Sequence, residues 1–373
     1  MCSDLHARFV VTAIPQVNLR PLLQATSKDW RANLRRLFQR SHFILGEELR
    51  AFEVEFAAAL GGKFSVGVAN GTSAIELCLR DAGVTSGEVI TSALTAPFSG
   101  VGIRACGATP KFADVDPETL QIDAADAAAR ITSRTRALMP VHLYGQPCAL
   151  DRFVKLARKH KIPLIQDAAQ AHGARFNGKP LAGFSRYIAY SFYPTKNLGC
   201  LGDGGGIITD DAATRNRLTV LRDGGRHGDQ VAHSFGVNSR LDEMQCCFLR
   251  AFLPHLNGWN EHRARIASIY DEELGMCGGV RSVKRTEGSV HHLYVIRAER
   301  RDKLREHLAT QGIGSAIHYP VPLHQHPAFA QKGSLPHAEK AVTEILSLPL
   351  WPYMKESAAR RVARQIRRFY GRP

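Results

Sequence analysis

The sequence predicts an α/β fold: a largely parallel or mixed sheet covered by helices on both faces, followed by a smaller α+β unit. Three observations carry this. From Gly61 to Thr209, short β-branched or apolar runs alternate with helical patterns, and strands separated by helices require crossover connections. Beyond Trp259 the texture changes to a long helical stretch followed by isolated strand and helix patterns. The residues that packing explains least fall at the carboxyl ends of predicted strands, where ligands sit in such folds.

Taken in order, residues 28–60 read as helical with an interruption at Gly46. Strands are expected at 89–91, 111–113, 137–141, 163–166, 188–192 and 206–209, with helices at 73–82, 124–130 and 149–160 between them. The first of these helices shows Ala74, Leu77, Cys78 and Ala82 on one face and Gly83 as its stop. We place the large unit, with its N-terminal helical segment, at residues 1–258 and the small one at 259–373. The small unit opens with a helix at 259–274. An alternating strand at 291–298, a helix at 301–311 ended by Gly312, and a strand at 315–319 follow. At the C-terminus Arg360, Arg361, Arg364, Arg367, Arg368 and Arg372 accompany Val362, Ile366 and Phe369 at helical spacing. That segment reads as an amphipathic helix with a solvated basic outer face.

Composition narrows the function classes. Of 373 residues, 44% are hydrophobic and 22% charged, enough apolar content for a sizeable core. No apolar run reaches membrane-spanning length, and the 9–14 run is too short for a signal peptide, so a cytoplasmic protein is expected. The eight cysteines, Cys2 among them, show no CxxC or metal-ligand spacing; reduced thiols and no metal site are expected. A net charge of +15 suits an anionic small substrate. Nucleic acid is not expected, because no aromatic-interleaved basic motif accompanies the charge.

Three segments carry chemistry. Lys196 stands in Tyr190-Ser-Phe-Tyr-Pro-Thr-Lys-Asn-Leu-Gly199, where an apolar run ends beside the glycine-rich Gly202-Asp-Gly-Gly-Gly206. A lysine so placed can be desolvated and form a Schiff base with a carbonyl; a loop lysine that snorkels to water fits this segment alone equally well. Asp167 ends Lys161-Ile-Pro-Leu-Ile-Gln-Asp167 and precedes Ala168-Ala-Gln-Ala-His-Gly173. It reads either as a helix N-cap or as the carboxylate that keeps a pyridine nitrogen protonated. Asn70-Gly71-Thr72-Ser73 opens a helix and offers N–H groups and hydroxyls to a phosphate. The aspartate and the lysine lie 29 residues apart with one strand between them, compatible with neighbouring strand ends. Lysine, carboxylate and phosphate cradle are the three contacts that pyridoxal 5'-phosphate (PLP) demands.

At these segments the chain resembles the DegT-type nucleotide-sugar aminotransferases, PLP enzymes of fold type I with a mostly parallel seven-stranded sheet. The resemblance runs over nearly the whole chain. It includes Phe43-Ile-Leu-Gly46, Phe112-Ala-Asp-Val-Asp-Pro117, Pro140-Val-His-Leu-Tyr-Gly-Gln146, Gly236-Val-Asn-Ser-Arg-Leu-Asp-Glu-Met-Gln245 and His318-Tyr-Pro-Val-Pro-Leu-His324, besides the aspartate and lysine segments. It implies that Lys196 bonds to the cofactor and moves the proton, that Asp167 pairs with the ring nitrogen and that Gln170 meets the phenolic oxygen. Gly71, Thr72, Ser73 and Ser191 would hold the phosphate. Asn238 would reach the phosphate of a neighbouring copy, which implies a homodimer with shared sites. His318, Tyr319 and His324 would line the substrate side; His142 and His172 read as satisfied histidines near the site.

Two departures stand out. Gly87-Glu-Val-Ile90 is one residue shorter than the usual family turn, a harmless variation. In Thr91-Ser-Ala-Leu-Thr-Ala-Pro-Phe-Ser-Gly100 the usual ring-stacking aromatic is missing, and only Phe98 is available, displaced. Phe98 reads as a stacking residue or as core. The reaction implied is transfer of an amino group from glutamate or glutamine to a keto-sugar, nucleotide-linked, or to a keto-cyclitol. Two rivals remain. A related PLP sugar dehydratase would carry histidine in place of Lys196. A non-catalytic regulatory protein would have no need to keep Lys196, Asp167, Gln170 and Asn238 together.

Overall fold

A computed structural model describes residues 13–371; Cys2, most of the 9–14 run and Arg372 lie outside them. Helices α1 (Arg20–Ala25), α2 (Ser27–Arg40) and α3 (Glu47–Ala59) precede the first strand. The large unit carries strands β1 (Phe64–Val68), β2 (Glu88–Ser92), β3 (Thr109–Ala113), β4 (Thr135–Met139) and β5 (Ile165–Asp167). A two-residue hairpin, β6 (Arg175–Phe176) and β7 (Lys179–Pro180), leads to β8 (Tyr187–Ser191) and β9 (Gly205–Thr209). Its other helices are α4 (Gly71–Asp81), α5 (Pro97–Ala105), α6 (Ala124–Ala129), α7 (Leu150–His160), α8 (Ala212–Leu221) and α9 (Glu243–Phe252).

Seven of these strands align in the order β1-β9-β8-β5-β4-β2-β3, with β4 and β5 joined by parallel bridges at Leu138–Leu164 and Val141–Asp167. Only β9 runs antiparallel to its neighbours. This is the seven-stranded sheet of fold type I. Its central strands are buried on both faces, which is why they read as continuous apolar runs rather than alternating ones. One face is covered by a core including Phe52, Phe56, Phe153 and Phe252, the other by one including Leu77, Leu79, Ile103 and Leu218.

The sequence reading missed β1, whose Ser65 and Gly67 break the apolar run. Gly67 is required because a Cβ there would lie 2.6 Å from Leu49 Cδ1. It also missed α5. Gly100 and Gly102 lower its helical propensity, yet both are needed: a Cβ would come within 2.8 Å of the Phe329 ring and of Ile75 respectively. The break at Gly46 has a plain cause. Glu243, buried on α9, accepts N–H bonds from Gly46 (2.8 Å), Glu48 (2.9 Å) and Leu49 (3.0 Å), and so caps α3 from outside.

The C-terminal part comprises α10 (Leu256–Leu274), β10 (Val280–Ser282), β11 (Tyr294–Ala298), α11 (Arg301–Thr310), α12 (Pro336–Glu344), β12 (Ile345–Leu348) and α13 (Glu356–Phe369). Its strands form an antiparallel sheet, β10-β11-β12. Ile14 joins this core and its N–H donates to Gly312 O at 2.8 Å. Two expectations are corrected. Residues 315–319 form no strand: Ala316 makes one isolated bridge to Ser347, and Pro320 and Pro322 limit further pairing. The basic face of α13 is only partly solvated. Arg360 and Arg367 pair with Glu273, and Arg361 donates to Gln311 O, while Arg364 and Arg368 stay exposed.

Candidate active site

Asp167 closes β5, and the adjacent parallel β8 ends two residues past its level, at Ser191. The Asp167 side chain is 3% exposed. Its Oδ2 accepts the Ser99 hydroxyl at 2.7 Å and its Oδ1 accepts the Ala169 N–H at 3.1 Å. Burial raises its pKa above the ordinary carboxylate value; the two donors and the Lys196 charge oppose that rise. Each carboxylate oxygen thus accepts one donor and keeps further acceptor capacity.

Beyond Ser191 the chain turns, with the Lys196 N–H donating to Tyr193 O at 2.8 Å. Among the described residues the Lys196 amine makes no hydrogen bond or ion pair. The residue is half-buried. Burial pulls its pKa from 10.5 to about 8, with the attraction of Asp167 working the other way. A desolvated ammonium without a partner is costly, so the neutral amine is accessible near neutral pH.

The start of α4 faces the end of β8. A Cβ on Gly71 would lie 2.8 Å from Ser191 Cβ, so only glycine lets the helix N-terminus come this near. Asn70 Oδ1 accepts the Ser73 N–H at 2.9 Å and caps the helix. The Ser73 amide is therefore spent, while the Gly71 and Thr72 amides lack intrahelical acceptors. Glycine is needed at 205 as well, where a Cβ would meet the Asn70 carbonyl at 2.4 Å.

Gln170 faces the same space: its Oε1 accepts the Tyr144 N–H at 2.7 Å and its Nε2 donates to Tyr319 Oη at 3.1 Å. Tyr144 Oη in turn donates to His318 O. Tyr319 therefore joins Gln170 directly, and His318 joins it through Tyr144. Both feel the site's charges: burial, then Lys196, lowers the His318 pKa to about 4, and burial, then Asp167, raises that of Tyr319 to about 12. His324 is placed differently. Its Nε2 meets Glu339 on α12 at 2.9 Å, and the ring is 4% exposed. Phe98 lies in the first turn of α5, 64% exposed, and Asn238 is exposed, as is Phe235 three residues before it, at 97%.

The two histidines differ from each other. His142 is satisfied, with Nε2 on Gln166 Oε1 at 3.0 Å and Nδ1 accepting the Cys148 N–H at 3.1 Å. His172 is not, and corrects the expectation. Neither ring nitrogen has a well-formed hydrogen bond among the described residues, and the ring lies against Tyr190 and Phe192. Burial, then the Lys196 charge, lowers its pKa to about 3.

Sequence reading passed over Ser99, Tyr144 and Asn197. Ser99 was hidden with its helix, and Tyr144 adopts a positive φ of 61° in a short turn with no composition signal. The residues present fit PLP: an unpaired amine, a carboxylate with spare acceptor capacity, and a glycine cradle that a Cβ would fill. Among the described residues no group of histidine, cysteine and acidic side chains could hold a metal ion, and no helix is long and apolar enough to cross a membrane.

Comparison with known proteins agrees. The family model described as the DegT/DnrJ/EryC1/StrS aminotransferase family matches residues 24–367. A "dTDP-3-amino-3,4,6-trideoxy-alpha-D-glucose transaminase" of Streptomyces venezuelae is 40% identical over 370 residues, 97% of this chain and 98% of that protein. A "pleiotropic regulatory protein" of Geobacillus stearothermophilus is 40% identical over 366 residues, 96% of this chain and 98% of that one. The solved structure of S. venezuelae DesV in complex with a ketimine intermediate superposes with a TM-score of 0.94 at 39% identity, covering 97% of this chain and 99% of that chain.

Proposed function

The chain belongs to the DegT/DnrJ/EryC1/StrS aminotransferase family, and on that premise we propose that it moves an amino group from glutamate or glutamine to a nucleotide-linked keto-sugar or a keto-cyclitol, with PLP as cofactor. The observation that carries this reading is the unpaired Lys196 amine, at a pKa of about 8, in the field of the buried Asp167. The transaminases among its relatives support a sugar acceptor.

When bound, PLP supplies an electron sink for the carbon that gains or loses the amine. The chain's own residues do the rest. Asp167, kept in place by Ser99 and Ala169, would hold a proton on the ring nitrogen. Gln170 would face the phenolic oxygen, its orientation fixed by the Tyr144 N–H. The Gly71 and Thr72 amides with the Ser191 hydroxyl would bind the phosphate at the positive end of α4. Lys196, once released, would take and return the proton at the substrate carbon, a role suited to an amine of near-neutral pKa. His318 and Tyr319 would bound the acceptor. A homodimer would supply Asn238 of one copy to the other and bring a second surface over Phe98. The surplus of basic residues, +15 overall, favours an anionic acceptor.

The test is a half-reaction. Purified protein with PLP should show a visible absorption band that glutamate or glutamine discharges, and Lys196→Ala should lack both. A wild-type protein with no such band, or one that neither donor discharges, would overturn the reading and favour the regulatory role that one relative's name carries.

A further inference from the structure

Asn197, directly after Lys196, is 1% exposed and fully bonded. Its Nδ2 donates to Val290 O at 2.9 Å and to Asn260 Oδ1 at 2.8 Å. Its Oδ1 faces His292 Nδ1 at 2.9 Å, and since burial keeps that ring neutral, Nδ1 carries the hydrogen. The Val290 carbonyl can only accept, so the amide has one possible orientation. Asn260, on α10, continues the chain by donating from Nδ2 to His172 O at 2.9 Å, which again fixes its orientation. His172 lies five residues past Asp167. Next to it, a Cβ on Gly173 would sit 3.1 Å from Asn260 Nδ2.

A second route closes the ring. The Val290 and His292 N–H groups donate to Gly145 O and Tyr144 O, each at 2.9 Å, and the Tyr144 N–H donates to Gln170 Oε1. Both routes run from the lysine turn to the segment after Asp167, through α10 and through the loop before β11. Among the described residues no sheet hydrogen bond does this, because the lysine turn lies beyond the end of β8.

Resting on the functional reading above, we propose that Asn197 and Asn260 are positioning residues, a two-amide clamp that holds the Lys196 turn in register with the Asp167–Gln170 segment. The clamp touches neither the reacting amine nor the carboxylate. It fixes their relative placement, on which proton transfer depends steeply, and it does so from α10, the helix that leads into the C-terminal sheet.

The experiment compares Asn197→Ala, Asn260→Ala, their double variant and Asn260→Asp, which keeps an acceptor for Asn197. Two quantities are read: the pH titration of the holoprotein's visible band, and kcat and KM of the glutamate or glutamine half-reaction. Each alanine variant should shift the band's titration midpoint and lower kcat about tenfold with KM within about twofold. The double variant should be no worse than either single, because the two amides act as one unit. Asn260→Asp, which keeps the acceptor for Asn197 but sets a carboxylate oxygen against His172 O, should lose as much as Asn260→Ala. Wild-type midpoints and kcat in the single variants, with only a lower melting temperature, would reduce the pair to a structural role and overturn the proposal; so would losses that multiply in the double variant. A third readout needs no cofactor: pH-dependent labelling of Lys196 by an amine reagent in the apoprotein, located by mass spectrometry. Its midpoint should move away from about 8 in Asn197→Ala. A wild type without a visible band would sink the functional reading, while the labelling midpoint would still decide the clamp.

Discussion

Two buried carboxylates, one at each of two junctions, are treated in opposite ways. Glu243, 1% exposed where α9 meets α3, accepts three backbone N–H groups and pairs with the helix start it caps. Asp167, 3% exposed at the end of β5, accepts one hydroxyl and one N–H and faces an amine that has no partner. The first is saturated, and its geometry does nothing beyond joining two helices. The second keeps acceptor capacity in reserve beside an unpaired base. Unused bonding capacity in a buried group is costly to the fold, and here it collects at one set of strand ends.

Removing each carboxylate in turn separates the two roles. Asp167→Ala should cut the half-reaction rate by ~10²–10³-fold and change urea stability little. Glu243→Ala should do the reverse, lowering stability by about 3 kcal/mol because three helix-start N–H groups lose their acceptor, while the protein that remains folded keeps its visible band. Equal effects of the two on rate and on stability would erase the distinction.

Lys196 carries its own cost to the fold. Its pKa is about 8 folded and near 10.5 unfolded, so between those values the folded state binds fewer protons and stability rises with pH. Below pH 8 the full penalty is present; above 10.5 it is gone. Lys196→Met should therefore stabilise the apoprotein at pH 7 by about 2 kcal/mol, an advantage that fades as pH rises toward 10.5. Chemical denaturation at pH 7 and pH 10.5 reads this, and a variant less stable than wild type at pH 7 would contradict it.

Much of this was legible in the sequence because the informative groups sit where chain periodicity ends. Asp167 and Lys196 each follow an apolar run, and the Gly71 start follows from its capping sequence. The seven-stranded sheet was legible in outline for the same reason, with β1 and α5 lost where glycines serve close packing rather than turns. What stayed hidden depends on contacts between distant segments. Ser99 reaches Asp167 across 68 residues, and Asn197 reaches His292 across 95. His324 shows the reverse limit. A motif position gave it a place beside the substrate, but only the fold shows its ring bonded to Glu339.

The central claim is that an unpaired, desolvated amine at position 196 is the reactive group, and its most direct test is the rate at which apoprotein bonds PLP as a function of pH. Only the neutral amine attacks a carbonyl, so the rate should climb through a midpoint near 8 and vanish in Lys196→Ala. A midpoint near 10.5, or attachment that survives the substitution, would contradict the account.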